Sequence, residues 1–126
     1  MNKSITEMIT AAIVAANTAG DTWIKTATVK FTVHQSDVLG NQGPTIGHML
    51  DLCGNAHVKF RDKRSSDYKQ FKKAGQVRGT GNGVVEISHK YRGRQEFGLQ
   101  EACAQAAKNS LENGGVTGLT IWSYID

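Results

Sequence analysis

The run from Glu96 to Asn113 places the strongest constraint on the fold of this chain. Its apolar and small residues recur at helical spacing and form one stripe: Leu99, Ala102, Cys103, Ala106, Ala107, Ser110 and Leu111. Gly114-Gly115 predicts the end of this helix. Val116 to Ile125 is rich in β-branched and aromatic residues and predicts a final strand. A helix of about 18 residues that leads into a strand is long enough to cross over a sheet.

The N-terminal region predicts a second helix with one apolar face. Ser4 and Glu7 have the spacing of a capping box. Apolar residues then recur at helical spacing, at Ile5, Met8, Ile9, Ala12, Ile13 and Ala16. We expect Gly20 to end this helix. A secretory signal is the weaker interpretation, because Glu7 and interspersed threonines interrupt the apolar run and only Lys3 supplies positive charge.

Between these helices the patterns predict three further strands and two short helices. Residues 27–34 alternate between apolar and polar types, as in a half-buried strand. A loop over 35–44 then leads to a short helix over 45–52. Residues 56–61 alternate again, with a cationic polar face. The remaining segments are a helix capped by Ser65 or Ser66 that carries Tyr68 and Phe71, a glycine-rich turn over 79–83, and a strand over 84–91 with Val85, Ile87, His89 and Tyr91 on one face.

The predicted order is therefore α-β-α-β-α-β-α-β. It indicates an α+β or α/β fold, with a single sheet of four or five strands and helices packed on it. The 126 residues are expected to form one globular domain, 1–126, because 39% apolar and 21% charged residues are ordinary for such a domain. The apolar stretch from Met8 to Ala16 is too short to span a membrane.

The two cysteines are too few for a disulfide scaffold, so we expect free thiols and a cytoplasmic setting. Cys103 lies on the apolar stripe of the last helix and is predicted to fill the core. Cys53 is also interpreted as structural, since the nearby Asp51 would raise the pKa of its thiol rather than lower it.

Positive charge is concentrated in the segment from Lys59 to Arg94. This segment holds eleven basic and three acidic residues, a net charge of +8, whereas the remainder has four basic and eight acidic residues, a net charge of −4. Such segregation creates a positive field that attracts anions. Candidate partners are a nucleotide, nucleic acid or an acidic protein surface; a solvated basic face without a partner is the alternative.

No pattern in the sequence identifies a catalytic group, a metal site or a cofactor. The four histidines and two cysteines lack the spacing of zinc ligands. Asp37, His48 and Asp51 are a conceivable catalytic or metal-binding group, but nothing in their spacing singles them out. The glycines at 79, 81 and 83 precede a strand, so they predict a hairpin turn or lid rather than a phosphate loop.

The sequence from Arg92 to Gln95 is the strongest candidate for ligand binding. Its position before the longest helix favours an anion, because the amides of a helix N-terminus lack partners. Two guanidiniums contact phosphate well, and Gly93 permits close approach of the backbone. The predicted ligand-binding residues are Arg92, Gly93, Arg94 and Gln95, with His57, Lys59 and Arg61 joining them if their strand neighbours the 84–91 strand.

Several short motifs between residues 53 and 126 resemble a group of short phage-encoded proteins without assigned activity. The motifs are Cys53-Gly54-x-Ala56-x-Val58, a short Lys-rich helix, Gly93-x-Gln95, Glu101-Ala102-x-Ala104 and Ser123-x-x-Asp126. The chain departs from that pattern at His57, where the group has a large aromatic residue, and at Tyr124, where arginine is frequent. In size and architecture the chain is also similar to phage proteins that sequester nucleotide immune signals. That likeness implies a counter-defence role in the host cytoplasm.

Three classes of function remain open from the sequence. The preferred one is non-enzymatic binding of a small phosphorylated, nucleotide-type ligand by a homo-oligomer. The second is RNA or DNA binding, because Tyr68, Phe71 and Tyr91 are interleaved with basic residues. The third is a small lyase or hydrolase, for which no acid–base pair is evident.

Overall fold

The computed structural model describes residues 4–38, 53–78 and 83–125. The elements in these ranges are α1 (Ile5–Val38), β1 (Gly54–Phe60), α2 (Ser66–Lys73), β2 (Val77–Arg78), β3 (Val84–Val85), α3 (Phe97–Asn113) and β4 (Leu119–Ile125). The strands form one antiparallel sheet in the order β2-β3-β1-β4. The predicted α+β class, with a single four-stranded sheet and helices packed on it, is confirmed.

The molecule is layered, with α1 on α3 and α3 on one face of the sheet. β1 and β4 pair along their full length, from Gly54 opposite Ile125 to Phe60 opposite Leu119. Alternation along β1 turns Ala56, Val58 and Phe60 toward α3, where all three are buried. The core therefore lies between α3 and the inner face of the sheet, and it continues between α3 and α1.

The helix predicted from 96 to 113 is present, but its buried face differs from the predicted stripe, since Ala102, Ala106 and Ser110 are only half-buried. Leu99, Cys103 and Leu111 are buried as expected, but Ala106 is only half-buried and borders a surface groove beside α1. Ala104 and Ala107 are the buried alanines. Because α3 has neighbours on two sides, its buried surface is wider than a single stripe, and small residues on it allow close approach of α1.

The prediction of a strand over 27–34 is wrong, since α1 continues through these residues to Val38. Adding a residue to an existing helix gains a hydrogen bond at little cost, and this overrides local β propensity. Gly20 lies inside α1 and does not end it. A Cβ there would lie 2.6 Å from Cε2 of Tyr91 and 3.0 Å from Sγ of Cys103, so glycine is required for close packing.

The short helix α2 forms as predicted and closes one end of the core. Ser65 is its N-cap and accepts a hydrogen bond from the Tyr68 amide at 3.2 Å. Tyr68 and Phe71 pack edge-on against Phe60, with ring centroids 5.7 and 5.4 Å apart. Asp67 accepts hydrogen bonds from the amide and the hydroxyl of Thr117, which ties α2 to the turn before β4.

The strand predicted over 84–91 is much shorter in the structure. Only Val84 and Val85 form a strand. They pair with β2, an element that the patterns did not reveal, and Val84 also lies opposite Lys59 of β1. The chain beyond Val85 leaves the sheet and turns at 90–93. The β2–β3 pairing agrees with the predicted hairpin, although residues 79–82 of its turn and the predicted helix over 45–52 lie outside the described residues.

Both cysteines are free. Cys103 is fully buried, and burial raises the pKa of its thiol to about 11, so it is protonated and unreactive at neutral pH. Cys53 is exposed and forms an isolated backbone bridge with Glu96. None of the helices in the described ranges combines the length and the apolar character that crossing a bilayer requires.

The buried face of α3 is tested by placing a carboxylate at two neighbouring alanines. Ala107 is fully buried, so Ala107→Asp should lower the free energy of unfolding by about 3 kcal/mol or more through the burial of an unpaired charge. Ala106→Asp is the matched control and should cost about 1 kcal/mol or less, because its side chain reaches the groove. Urea denaturation measures both; equal losses would contradict this orientation of α3.

Candidate ligand-binding site

The outer face of the sheet, opposite α3, carries polar and aromatic side chains. Alternation along β1 places Asn55, His57 and Lys59 on this face. Their partners on β4 are Tyr124, Trp122 and Thr120 respectively. Directly opposed residues in an antiparallel pair share a face, so the six side chains form one surface.

Three rings on this surface form an aromatic cluster, which we define as His57, Trp122 and Tyr124. The His57 ring lies 5.5 Å from that of Trp122 and 6.3 Å from that of Tyr124, and the latter two are 5.4 Å apart. Trp122 and Tyr124 are 42% and 40% exposed, which is high for such large apolar side chains. Nζ of Lys59 lies 5.7 Å from the Trp122 ring centroid, as in a cation–π contact.

A cleft of about 150 Å³ opens at the edge of the sheet beside His57. It is bounded by β1, by β2, by the segment that follows β3 and by α3. Its polar lining consists of Asn55, His57, Arg78, His89, Arg92 and Gln100. His57 belongs both to this cleft and to the aromatic cluster, so the two features are continuous.

The charges around the cleft sum to a net positive value. Nε of Arg78 and Nη1 of Arg92 contact the two oxygens of Glu86 at 2.8 and 2.7 Å. These contacts, led by the hydrogen bond from Arg78, lower the pKa of Glu86 and keep it ionised. Two guanidiniums share one carboxylate, which leaves one positive charge for an incoming anion.

Both histidines of the cleft are held in their neutral form. Burial lowers the pKa of His57 and of His89, and the positive charges of Arg78 and Arg92 lower them further. The amide of Tyr91 donates to Nδ1 of His89 at 3.2 Å, and Nη1 of Arg78 lies 3.5 Å from Nδ1 of His57. Because these neighbours are donors, the ring proton of each neutral histidine is on Nε2, which makes each a hydrogen-bond donor there.

The segment that carries His89 and Arg92 is fixed by contacts with both long helices. Gln100, only 2% exposed, donates from Nε2 to the carbonyls of Tyr91 and Arg94 at 2.6 and 3.0 Å. On the side of α1, Asn17 Oδ1 accepts from the Lys90 amide at 2.8 Å. Asp21 accepts from the Tyr91 hydroxyl and pairs with Lys90. The cleft therefore has a rigid wall.

The structure brings together some of the residues predicted from the sequence and separates others. His57 and Arg92 line the same cleft, and Lys59 lies beside them on the outer face. Arg94 instead forms a bidentate pair with Glu96, away from the cleft lining. The other three, Gly93, Gln95 and Arg61, are exposed and do not line the cleft either.

The prediction from the sequence missed Arg78, His89, Trp122 and Tyr124. It also did not include Asn55, Glu86 and Gln100. Trp122 and Tyr124 are separated by two in a predicted strand and so share a face, a signal that was present in the sequence. Arg78 and His89 gave no such signal, because their approach depends on β2 and on the turn at 90–93. In the described part of the chain no three His, Cys, Asp or Glu side chains cluster as metal ligands. His48 and Asp51 lie outside that part.

The neutral histidines predict a pH dependence of stability. The unfolded chain binds protons at these groups below pH ~6.5, whereas the folded state resists protonation, so the free energy of unfolding should fall as the pH drops from 7 to 5. His89→Asn supplies an oxygen for the Tyr91 amide but does not titrate, and should flatten this dependence. Thermal denaturation across the pH series measures it. An unchanged slope in the variant would contradict the neutral, half-buried state of His89.

Comparison with known proteins adds no assignment. No protein-family model, curated protein or solved structure matches this chain. Its function has to be inferred from the residues of the cleft and of the outer face.

Proposed function

We propose that the protein binds a small phosphorylated ligand of the nucleotide type and does not turn it over. The phosphate enters the cleft between Arg78 and Arg92, and the base lies on the aromatic cluster. The observation that carries this proposal is the position of His57, which belongs to both features and joins an anion-binding cleft to an exposed set of rings.

The cleft supplies donors that suit a phosphate group. Arg78 and Arg92 are donors only and always charged, and the two neutral histidines add one N–H each at Nε2. Hydrogen bonds to a charged phosphate are each worth ~1.5–3 kcal/mol, and each guanidinium has further N–H groups that can donate to phosphate oxygens beside Glu86.

The volume of the cleft indicates which part of the ligand enters it and which part lies outside on the aromatic cluster. Pockets that enclose a drug-sized ligand hold ~300–1,000 Å³, and this cleft holds about 150 Å³. It therefore accommodates a phosphate group and leaves the nucleoside outside. Trp122 and Tyr124 are the nearest exposed rings, and stacking of one base on such a ring contributes ~1–3 kcal/mol.

The protonation states favour binding over catalysis. A general base needs an unprotonated atom facing the substrate, but the Nδ1 atoms of His57 and His89 already face donors of the protein. Glu86 is held ionised by two guanidiniums, which makes it a poor proton acceptor. The cleft thus provides donors and fixed charge without an acid–base pair.

This binding role fits the sequence resemblance to phage proteins that sequester nucleotide signals, with the host cytoplasm as the setting. A protein that removes a signal needs affinity and a slow release rather than turnover. Nucleic-acid binding is the second candidate, favoured by the aromatic residues on an open sheet face close to the basic residues Lys59 and Arg61.

Titration calorimetry against a panel of mono-, di- and cyclic nucleotides tests the proposal. Arg92→Ala and Arg78→Ala should each weaken binding about tenfold or more, because each removes a charge-assisted contact. Trp122→Ala should weaken it by a similar factor through lost stacking. Arg94→Ala is the matched control: it removes the same charge from the same turn and should leave the affinity within about twofold.

A change of Lys72 and Lys73 to alanine separates the second candidate from the first. These residues lie at the end of α2, and a nucleic-acid binder should lose affinity in proportion to the charge removed from any part of the basic segment. A binder of small ligands should be insensitive to this change. The absence of heat with every nucleotide, together with a gel shift that the double variant abolishes, would overturn the proposal and establish nucleic-acid binding.

A further inference from the structure

The strand β4 forms an open edge of the sheet. Within the described ranges, β4 pairs with β1 on one side and with no strand on the other. Its residues from Leu119 to Ile125 include no charged residue and no proline. Soluble proteins ordinarily protect such edges with lysine, proline, a bulge or a very short strand, and a seven-residue uncharged edge is a template for pairing.

The direction of the backbone groups along this edge follows from the hydrogen bonds of β1. The Phe60 amide donates to Gly83 on the β3 side, and the Arg61 amide donates to Gly118 on the β4 side. Backbone groups alternate in direction along a strand. The register between β1 and β4 then directs the groups of Leu119, Ile121, Ser123 and Ile125 away from β1, toward the open edge.

We propose that β4 pairs with β4 of a second copy of this chain, antiparallel and centred on Trp122. This register uses the whole strand. It joins Ile121 to Ser123 of the second copy and Leu119 to its Ile125 as hydrogen-bonded pairs, with about eight backbone hydrogen bonds in all. The two sheets become one sheet of eight strands with a two-fold axis at Trp122.

The composition of β4 favours a second copy over an unrelated strand as the occupant. In a two-fold pairing a charged residue near the centre would lie close to the same residue of the second copy, and like charges repel. β4 has none between Leu119 and Ile125. Ile125 is 55% exposed in the single chain and would lie directly opposite Leu119 of the second copy.

The pairing also extends the aromatic cluster. A two-fold axis perpendicular to the sheet keeps both outer faces on the same side. The two Trp122 residues are then directly opposed in a non-hydrogen-bonded pair, where side chains lie closest. If the proposed nucleotide binding holds, the dimer offers two phosphate clefts flanking one continuous set of rings, which suits a ligand with two phosphates or two bases.

Sedimentation equilibrium without ligand tests the pairing by itself. The wild-type chain should associate to twice its mass between ~10 and ~300 µM. Ser123→Pro removes an amide that faces the open edge, not β1, and should weaken the dimer about tenfold or more. Ser123→Ala keeps the amide and should associate as the wild type does. A chain that stays monomeric up to ~300 µM, or a dimer that Ser123→Pro leaves intact while folded, overturns the proposal.

A cross-linking experiment tests the register without relying on the proline variant. In a Cys53→Ser background, Trp122→Cys places two thiols opposite each other with Cα atoms ~4.5 Å apart, which a disulfide spans. Tyr124→Cys is the control, since its copies would be separated by four residues along the strand, more than ~13 Å. Mild oxidation should give a covalent dimer with the first variant only. Cross-linking of both or of neither, in variants that sediment as dimers, overturns the proposed register.

These results are independent of the proposed function. Association and cross-linking are measured without any nucleotide, so a failure of nucleotide binding leaves them interpretable. Conversely, a strictly monomeric chain that binds one nucleotide would refute the pairing and leave the proposed function intact.

Discussion

The structure depends on the burial of α3 on two sides. Leu99, Cys103, Ala104, Ala107 and Leu111 are buried between the sheet and α1, and the small residues among them let α1 approach closely. The apolar side chains of Ala56, Val58, Phe60 and Leu119 on the sheet are buried in this way, whereas Ile125 at the end of β4 is 55% exposed. The opposite face therefore needs no cover for stability, and in the described part of the chain it carries the rings and cations from which the site is built.

The helix α3 also shapes the cleft. Gln100 lies on its buried face, and its amide holds the carbonyls of Tyr91 and Arg94. A buried carboxamide with both donors satisfied fixes a loop more strongly than apolar packing does, because release would leave polar groups unpaired. The same helix thus supports the core and sets the position of His89 and Arg92, so stability and the geometry of the site are coupled.

The features that could be predicted from the sequence are those that depend on interactions between residues close together in the chain. The class of fold, α2 with its Ser65 cap and the span of α3 depend on residues close together in the chain, and these predictions hold. The strand expected over 27–34 failed because period-two alternation is a local signal, whereas continuation of α1 is decided by an existing helix. His57 and Arg92 were expected to share a cleft if the strand of His57 neighbours the strand over 84–91, and β1 does pair with β3. Arg94 was grouped with Arg92 because both precede the N-terminus of the last helix, but its side chain pairs with Glu96.

Gly20 lies inside α1, yet it affects the position of the turn at 90–93, which carries one wall of the cleft. The missing side chain makes room for the ring of Tyr91, whose hydroxyl reaches Asp21 one residue further along the same helix. A methyl group at residue 20 would displace that ring. Because Tyr91 lies between His89 and Arg92 in the chain, those two residues would move with it. The packing of α1 against Tyr91 therefore helps to set the width of the cleft. A side chain at residue 20 is therefore expected to change the width of the cleft and to strain the contact with Cys103 in the core.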